Sequence, residues 1–270
     1  FAGQAPGSAN LLIGCVMAAV VAAVVFGGLQ RVARVAVTLL PLMMVTYMAM
    51  TLYLLLLHSE RVPGLLASIV TDAFNPQAVG GGLVGVILIG VSRGVFSNEA
   101  GVGTEVMAHG AARTNEPVRE GLVAMLGPVA DTLIVCTCTA LVILLAGTWQ
   151  DPGELSGITL TANAFRQDLG RRGSGLLLFV TLILASTTMF TMWYYGAKCF
   201  GFLFGARLQT YYRWFFVLAV VFGATVSIDV VFNLISGSYG LMAIPTMVST
   251  LLLAGKVRMA AREYFQRHPY

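Results

Sequence analysis

Long apolar runs alternate along this chain with short polar interruptions, at a spacing that suits a bilayer better than a soluble core. About 20 apolar residues carry a helix across the hydrocarbon layer. Seven stretches approach that requirement: Leu11–Leu29, Val35–Leu57, Gly82–Phe96, Gly121–Gly147, Gly175–Leu203, and two between Tyr211 and Ala254. The boundary inside the last pair falls either at Ser227-Ile228-Asp229 or at Ser236-Gly237-Ser238. The longest polar connection, Thr148–Ser174, reads as a surface loop facing outward, with Trp149 in the interfacial aromatic belt. The pattern predicts an all-α integral membrane protein with about seven transmembrane segments.

Composition supports that class. Of the 270 residues 57% are apolar and 10% charged, whereas a soluble domain is about a quarter charged. The basic residues then set an orientation. Arg31, Arg34, Arg113, Arg119, Lys198, Arg207, Arg213, Lys256, Arg258, Arg262 and Arg267 fall on one side, against Arg61, Arg166, Arg171 and Arg172 on the other. The richer side is expected to be cytoplasmic, with the C-terminus on it. The net charge of +4 therefore reports topology and contact with anionic lipid, not nucleic-acid binding. The tail Lys256–Tyr270 suits a helix lying along the membrane face. Cys136 and Cys138, two apart, point to nearly opposite helix faces and cannot share a metal. The opening Phe1-Ala2-Gly3-Gln4 has no signal-peptide pattern and reads as the interior of a longer protein.

The third run breaks in an informative way. Ser92-Arg93-Gly94-Val95-Phe96-Ser97-Asn98-Glu99-Ala100-Gly101-Val102-Gly103-Thr104 puts an arginine, a carboxylate, an amide and three glycines into an apolar helix, which resumes as Val106–Ala112. Non-helical backbone at membrane depth persists only where protein buries it or where it lines a cavity. A polar, glycine-interrupted span points to a transporter binding site. One half-helix would end in free carbonyls, suited to Na⁺ or an ammonium group. The other would begin with free N–H groups, suited to a carboxylate. Ser97 and Asn98 add side-chain hydrogen bonds, Gly101 and Gly103 admit close approach, and Thr104 is expected to cap the second half-helix. The rival reading is a solvated loop with Arg93 and Glu99 as an ion pair, but Val106–Ala112 is too short to cross alone.

The stretch Arg93–Thr104 resembles the signature of the alanine/glycine:cation (sodium) symporter family. So do Ala108-His109-Gly110-Ala111-Ala112, Glu116–Gly127, Asp131–Thr137 and Thr139–Ile143, then Tyr194-Tyr195-Gly196 and Met242-Ala243-Ile244-Pro245, with Phe26-Gly27-Gly28 upstream. The resemblance spans essentially the whole chain. It implies the inverted-repeat, LeuT-like (APC-type) transporter fold, here a partial chain with one discontinuous helix. Residues 1–60 would end the first repeat, 79–256 would form the second, and 257–270 a cytoplasmic tail.

The same resemblance implies secondary active symport of Na⁺ with a small neutral amino acid, by alternating access in a bacterial inner membrane. It places Phe96, Ser97, Asn98, Gly101, Gly103 and Met192 at the substrate and Thr187 and Thr188 at sodium. Na⁺ is the coupling ion, and no cofactor is expected. Two departures bear on the substrate. Met192 stands where members often carry Trp, and Glu105 where many carry a small uncharged residue.

Other polar residues have plainer readings. Ser186, Thr187, Thr188 and Thr191 suit either ion ligation or hydroxyl bonds back to carbonyls one turn earlier. Asp131 needs a partner inside the membrane, where a carboxylate costs about 2.5–3.5 kcal/mol on insertion scales. Arg93 or a neighbouring hydroxyl would serve, and Arg93, Glu99 and Asp131 are structural or gating candidates. His109 reads as a packed histidine near the cytoplasmic mouth. A passive channel and a proton-coupled carrier remain alternatives. An enzyme would need a compact catalytic set, and His58, His109 and His268 are scattered.

Overall fold

The computed structural model describes residues 7–74, 83–150 and 157–268. Among these it is helical, with no strand. The helices are α1 (Gly7–Val25), α2 (Gly28–Leu57), α3 (Val62–Ala73), α4 (Leu83–Asn98), α5 (Thr104–His109) and α6 (Pro117–Ala124). A short turn, Leu126–Pro128, leads into a π-helical stretch, Val129–Cys136. It continues as α7 (Thr137–Ala146), followed by α8 (Ile158–Phe204), α9 (Gln209–Gly223) and α10 (Ile228–Arg267).

Among the described residues, four helical stretches are long and apolar enough to cross a membrane: Gln30–Leu57, Pro117–Ala146, Ile158–Phe204 and Ile228–Arg267. The other expected segments form helices of 19, 16 and 15 residues, namely α1, α4 and α9. The chain is a helical, multi-pass membrane protein.

Two compact units divide the described residues. The first holds the chain up to Thr38, Glu99–Met125 and everything from Ala185. Its core is Val21, Val25, Val32, Phe190, Trp193, Tyr194, Tyr195 and Ala197. Here α1 packs along α9 so closely that a Cβ on Gly14 would lie 2.6 Å from the Ala224 Cβ. The second unit holds Leu39–Asn98 and Leu126–Leu184, around Tyr47, Met50, Leu54, Val142, Ala164, Phe165, Leu177 and Val180.

Two expectations about connections need correction. Much of Thr148–Ser174 is the start of α8, not loop. Arg166, Gln167 and Asp168 are exposed there, while Thr161, Ala164 and Phe165 are buried at helical spacing and Leu169 packs beside them. His58 Nε2 lies 3.1 Å from Asp168 Oδ2 and ties this stretch to the end of α2. The tail, likewise, is no separate surface helix, since α10 runs without a break through Lys256 to Arg267. The boundary left open between the last two segments falls at Ala224–Ser227, the earlier of the two positions.

α8 bends at Gly170, whose φ 59° and ψ −148° lie in a region essentially reserved for glycine. Gly170→Ala is expected to lower stability by about 1–3 kcal/mol, read from thermal unfolding of the detergent-solubilised protein. An unchanged midpoint would mean the bend is dispensable.

Candidate functional site

The break lies where the sequence predicts it. α4 ends at Asn98, α5 begins at Thr104, and the five residues between them are non-helical. Glu99 has φ 56°, and Gly101 and Gly103 have φ 79° and 100°. A non-glycine residue at positive φ is uncommon, and such strain persists where the surroundings enforce it.

What surrounds the break in the first unit is α10. Thr246 Oγ1 lies 3.2 Å from the Val102 carbonyl oxygen, and Val102 is fully buried. A Cβ on Gly103 would fall 2.8 Å from the same Thr246 oxygen. The expected cap is absent: Gly103 holds the cap position without a side-chain bond, and Thr104 is the first residue of α5. The Thr104 hydroxyl is buried and without a partner among the described residues, so this end retains polar capacity.

The second unit supplies a hydrogen-bonded cluster at the end of α4. The Ser97 hydroxyl donates to Asp131 Oδ2, and Thr132 Oγ1 reaches that same oxygen at 3.2 Å. Asn98 Nδ2 donates to Thr132 Oγ1 at 3.2 Å. Asp131 therefore takes hydroxyl donors, one of the two partners expected for it. Both Asp131 and Thr132 lie on the π-helical stretch, whose wider turn brings adjacent residues to α4 together. Such insertions are frequent at functional sites.

Beside this cluster lies a cavity of about 490 Å³. Its polar lining is Ser97, Asp131, Cys136, Tyr47, Thr139, Thr161 and Thr181, and the rest is mainly aliphatic and methionine. Tyr47 hydrogen-bonds Thr139, whose hydroxyl also donates to the Val135 carbonyl at 2.8 Å. A small polar molecule or a cation could be held here by hydroxyls and one carboxylate. Sequence reasoning missed Tyr47, Thr132 and Thr139. On a regular α-helix the seven-residue spacing from Thr132 to Thr139 would put both on one face, but the π-helical turn between them breaks that phase, so no spacing in the sequence marked them.

A model of the sodium:alanine symporter family matches residues 2–269. This chain belongs to that family. It is 39% identical over 251 residues to the sodium/alanine symporter AgcS of Methanococcus maripaludis, covering 92% of the chain and 55% of the relative. To the probable sodium/glutamine symporter GlnT of Bacillus subtilis it is 34% identical over 260 residues, 96% of the chain and 54% of the relative. An uncharacterized transporter of Haemophilus influenzae is 37% identical over 263 residues, 95% of the chain and 58% of the relative. The chain thus spans little more than half the length of these curated relatives. The family is one of transporters, not enzymes.

The remaining residues that the family resemblance singles out are distributed between the units. Ser97, Asn98 and Asp131 sit together in the second, with Arg93 exposed and Phe96 half-buried on the same helix. Gly101, Gly103, Thr187, Thr188 and Met192 belong to the first. Thr187 is buried, whereas Thr188 is exposed, as a 100° step along a helix allows. Thr191 Oγ1 donates to the Thr187 carbonyl at 2.9 Å, the back-bond considered for this group. Met192 packs on the first unit's core. His109 is half-exposed and pairs with Glu120 at 2.7 Å.

Proposed function

We propose that this chain is part of a sodium-coupled symporter that carries a small neutral amino acid, alanine or glycine, into the cell by alternating access. The observation that carries the reading is the helix break at Glu99–Gly103 inside an apolar segment. Such a break sets the carbonyl end of one helix and the N–H end of the next within five residues of chain, opposite partial charges that suit the two charges of a zwitterion. Family membership and two relatives, a sodium/alanine symporter and a probable sodium/glutamine symporter, support coupling to Na⁺. By family resemblance the substrate meets Phe96, Ser97, Asn98, Gly101, Gly103 and Met192, and the ion meets Thr187 and Thr188. The inverted-repeat fold, the inner-membrane location and the cytoplasmic C-terminus belong to the same reading.

Proton coupling is the second reading, favoured by a relative named a sodium/proton-dependent alanine carrier, from Bacillus sp. PS3. Labelled alanine uptake by the full-length protein in proteoliposomes separates the two. Accumulation should follow an inward Na⁺ gradient. Dependence on a proton gradient alone selects the second reading, and indifference to both ends the symport proposal.

Site variants test the assignments. Asn98→Ala is expected to raise the alanine KM about tenfold, the worth of one or two hydrogen bonds. Thr187→Ala and Thr188→Ala should instead raise the Na⁺ concentration for half-maximal uptake. Unchanged kinetics in all three would remove these residues from the site.

A further inference from the structure

We infer that the end of α8 and the start of α9 form a binding site for a phosphate-type oxyanion. A cavity of about 190 Å³ lies there, lined by Trp193, Tyr194, Lys198, Gln209 and Arg213, with two small residues completing it. All of it belongs to the first unit.

The polar groups around this space are overwhelmingly donors. Trp193 is 4% exposed, and its indole Nε1–H has no hydrogen-bond partner among the described residues. The Arg213 Nε–H is likewise sealed and unpartnered. Lys198 stands over the Tyr194 ring, its Nζ 5.6 Å from the ring centre, with its side chain exposed. Gln209 Nε2 is taken by the Ala197 carbonyl at 3.0 Å, which pins the start of α9 against α8. No carboxylate lines the cavity.

Gln209 is also the first residue of a 15-residue helix that has no side-chain cap, so the space lies at a positive helix end. Water could satisfy the two orphan N–H groups but would bring no negative charge to a cavity lined by Lys198 and Arg213. An anion answers both. A guanidinium edge and an indole N–H are directional donors and fit oxygens better than a halide. The volume falls below the roughly 300–1,000 Å³ of pockets for drug-sized ligands and suits a single phosphate group, from solution or from a lipid headgroup.

The test uses the full-length protein and reads stability, so it is independent of transport. Melting is followed in neutral detergent as sodium phosphate replaces sodium chloride at matched Na⁺ and ionic strength. In parallel, unfolding is followed in phosphatidylcholine vesicles with and without phosphatidylglycerol. Phosphate should raise the melting temperature saturably, and Arg213→Gln should raise the half-saturating concentration about tenfold, the loss of one charge-assisted hydrogen bond.

Lys198→Gln changes only an exposed side chain. It should weaken the response in the same direction, and it decides the matter if Arg213→Gln does not fold. Stabilisation by phosphatidylglycerol without a response to phosphate identifies the source as lipid and supports the site. Equal stabilisation by chloride and phosphate with no lipid effect, or a response untouched by both substitutions, overturns it.

Discussion

Gly103→Ala is expected to reduce alanine uptake by about tenfold or more while the protein still inserts into the membrane. Two effects combine at this position. The backbone holds φ 100°, where any L side chain is strained, by about 1–3 kcal/mol. The new Cβ would also sit 2.8 Å from Thr246 Oγ1, the atom that reaches the Val102 carbonyl. Something must shift, and the candidates are the hydroxyl and the break itself. Gly101→Ala separates the two effects, because φ is 79° there but the nearest neighbour, Met247 Sδ, is an ordinary 3.6 Å away. It should therefore be the milder change. Gly103→Ala combined with Thr246→Ala should recover only the steric part. Full uptake by Gly103→Ala would show that this conformation is irrelevant to transport.

Asp131→Ala is expected to lower uptake about tenfold while changing stability by less than about 1 kcal/mol, because two terms of opposite sign nearly cancel. Residue 131 lies midway along Pro117–Ala146, where removing a carboxylate relieves about 2.5–3.5 kcal/mol on insertion scales. Against this, the Ser97 and Thr132 hydroxyls lose their shared acceptor, at about 1–3 kcal/mol. Asp131→Asn keeps an acceptor oxygen in place and should retain more uptake than the alanine variant. Uptake measured beside thermal unfolding checks both statements. Normal uptake in Asp131→Ala would reduce the cluster to a packing detail.

The break was legible in the sequence because its cause is local. Glu99, Gly101 and Gly103 are written in one short run, and an apolar helix cannot absorb them. The polar start of α8 was not legible as helix, because Arg166, Gln167, Asp168, Arg171 and Arg172 disguise a buried stripe of Thr161, Ala164 and Phe165. Low hydropathy argues against a span, not against a helix. α3 escaped the scan because its 12 residues fall short of a bilayer's width. The partner of Asp131 was narrowed to two kinds but not chosen, since Ser97 lies 34 residues away and the wide π turn that presents the carboxylate has no sequence signature.

One consequence follows from the length of α10. Forty residues at about 1.5 Å each make a rod of roughly 60 Å, twice the ~30 Å of acyl chain that a bilayer offers it. Wherever its apolar part is seated, the basic end runs on past the acyl chains to where Arg267 Nη1 lies 3.6 Å from Glu116 Oε1, at the start of α6. Thr246, half-way down the same helix, holds the Val102 carbonyl. One long strut therefore braces the unwound stretch at one point and the chain beyond it at another.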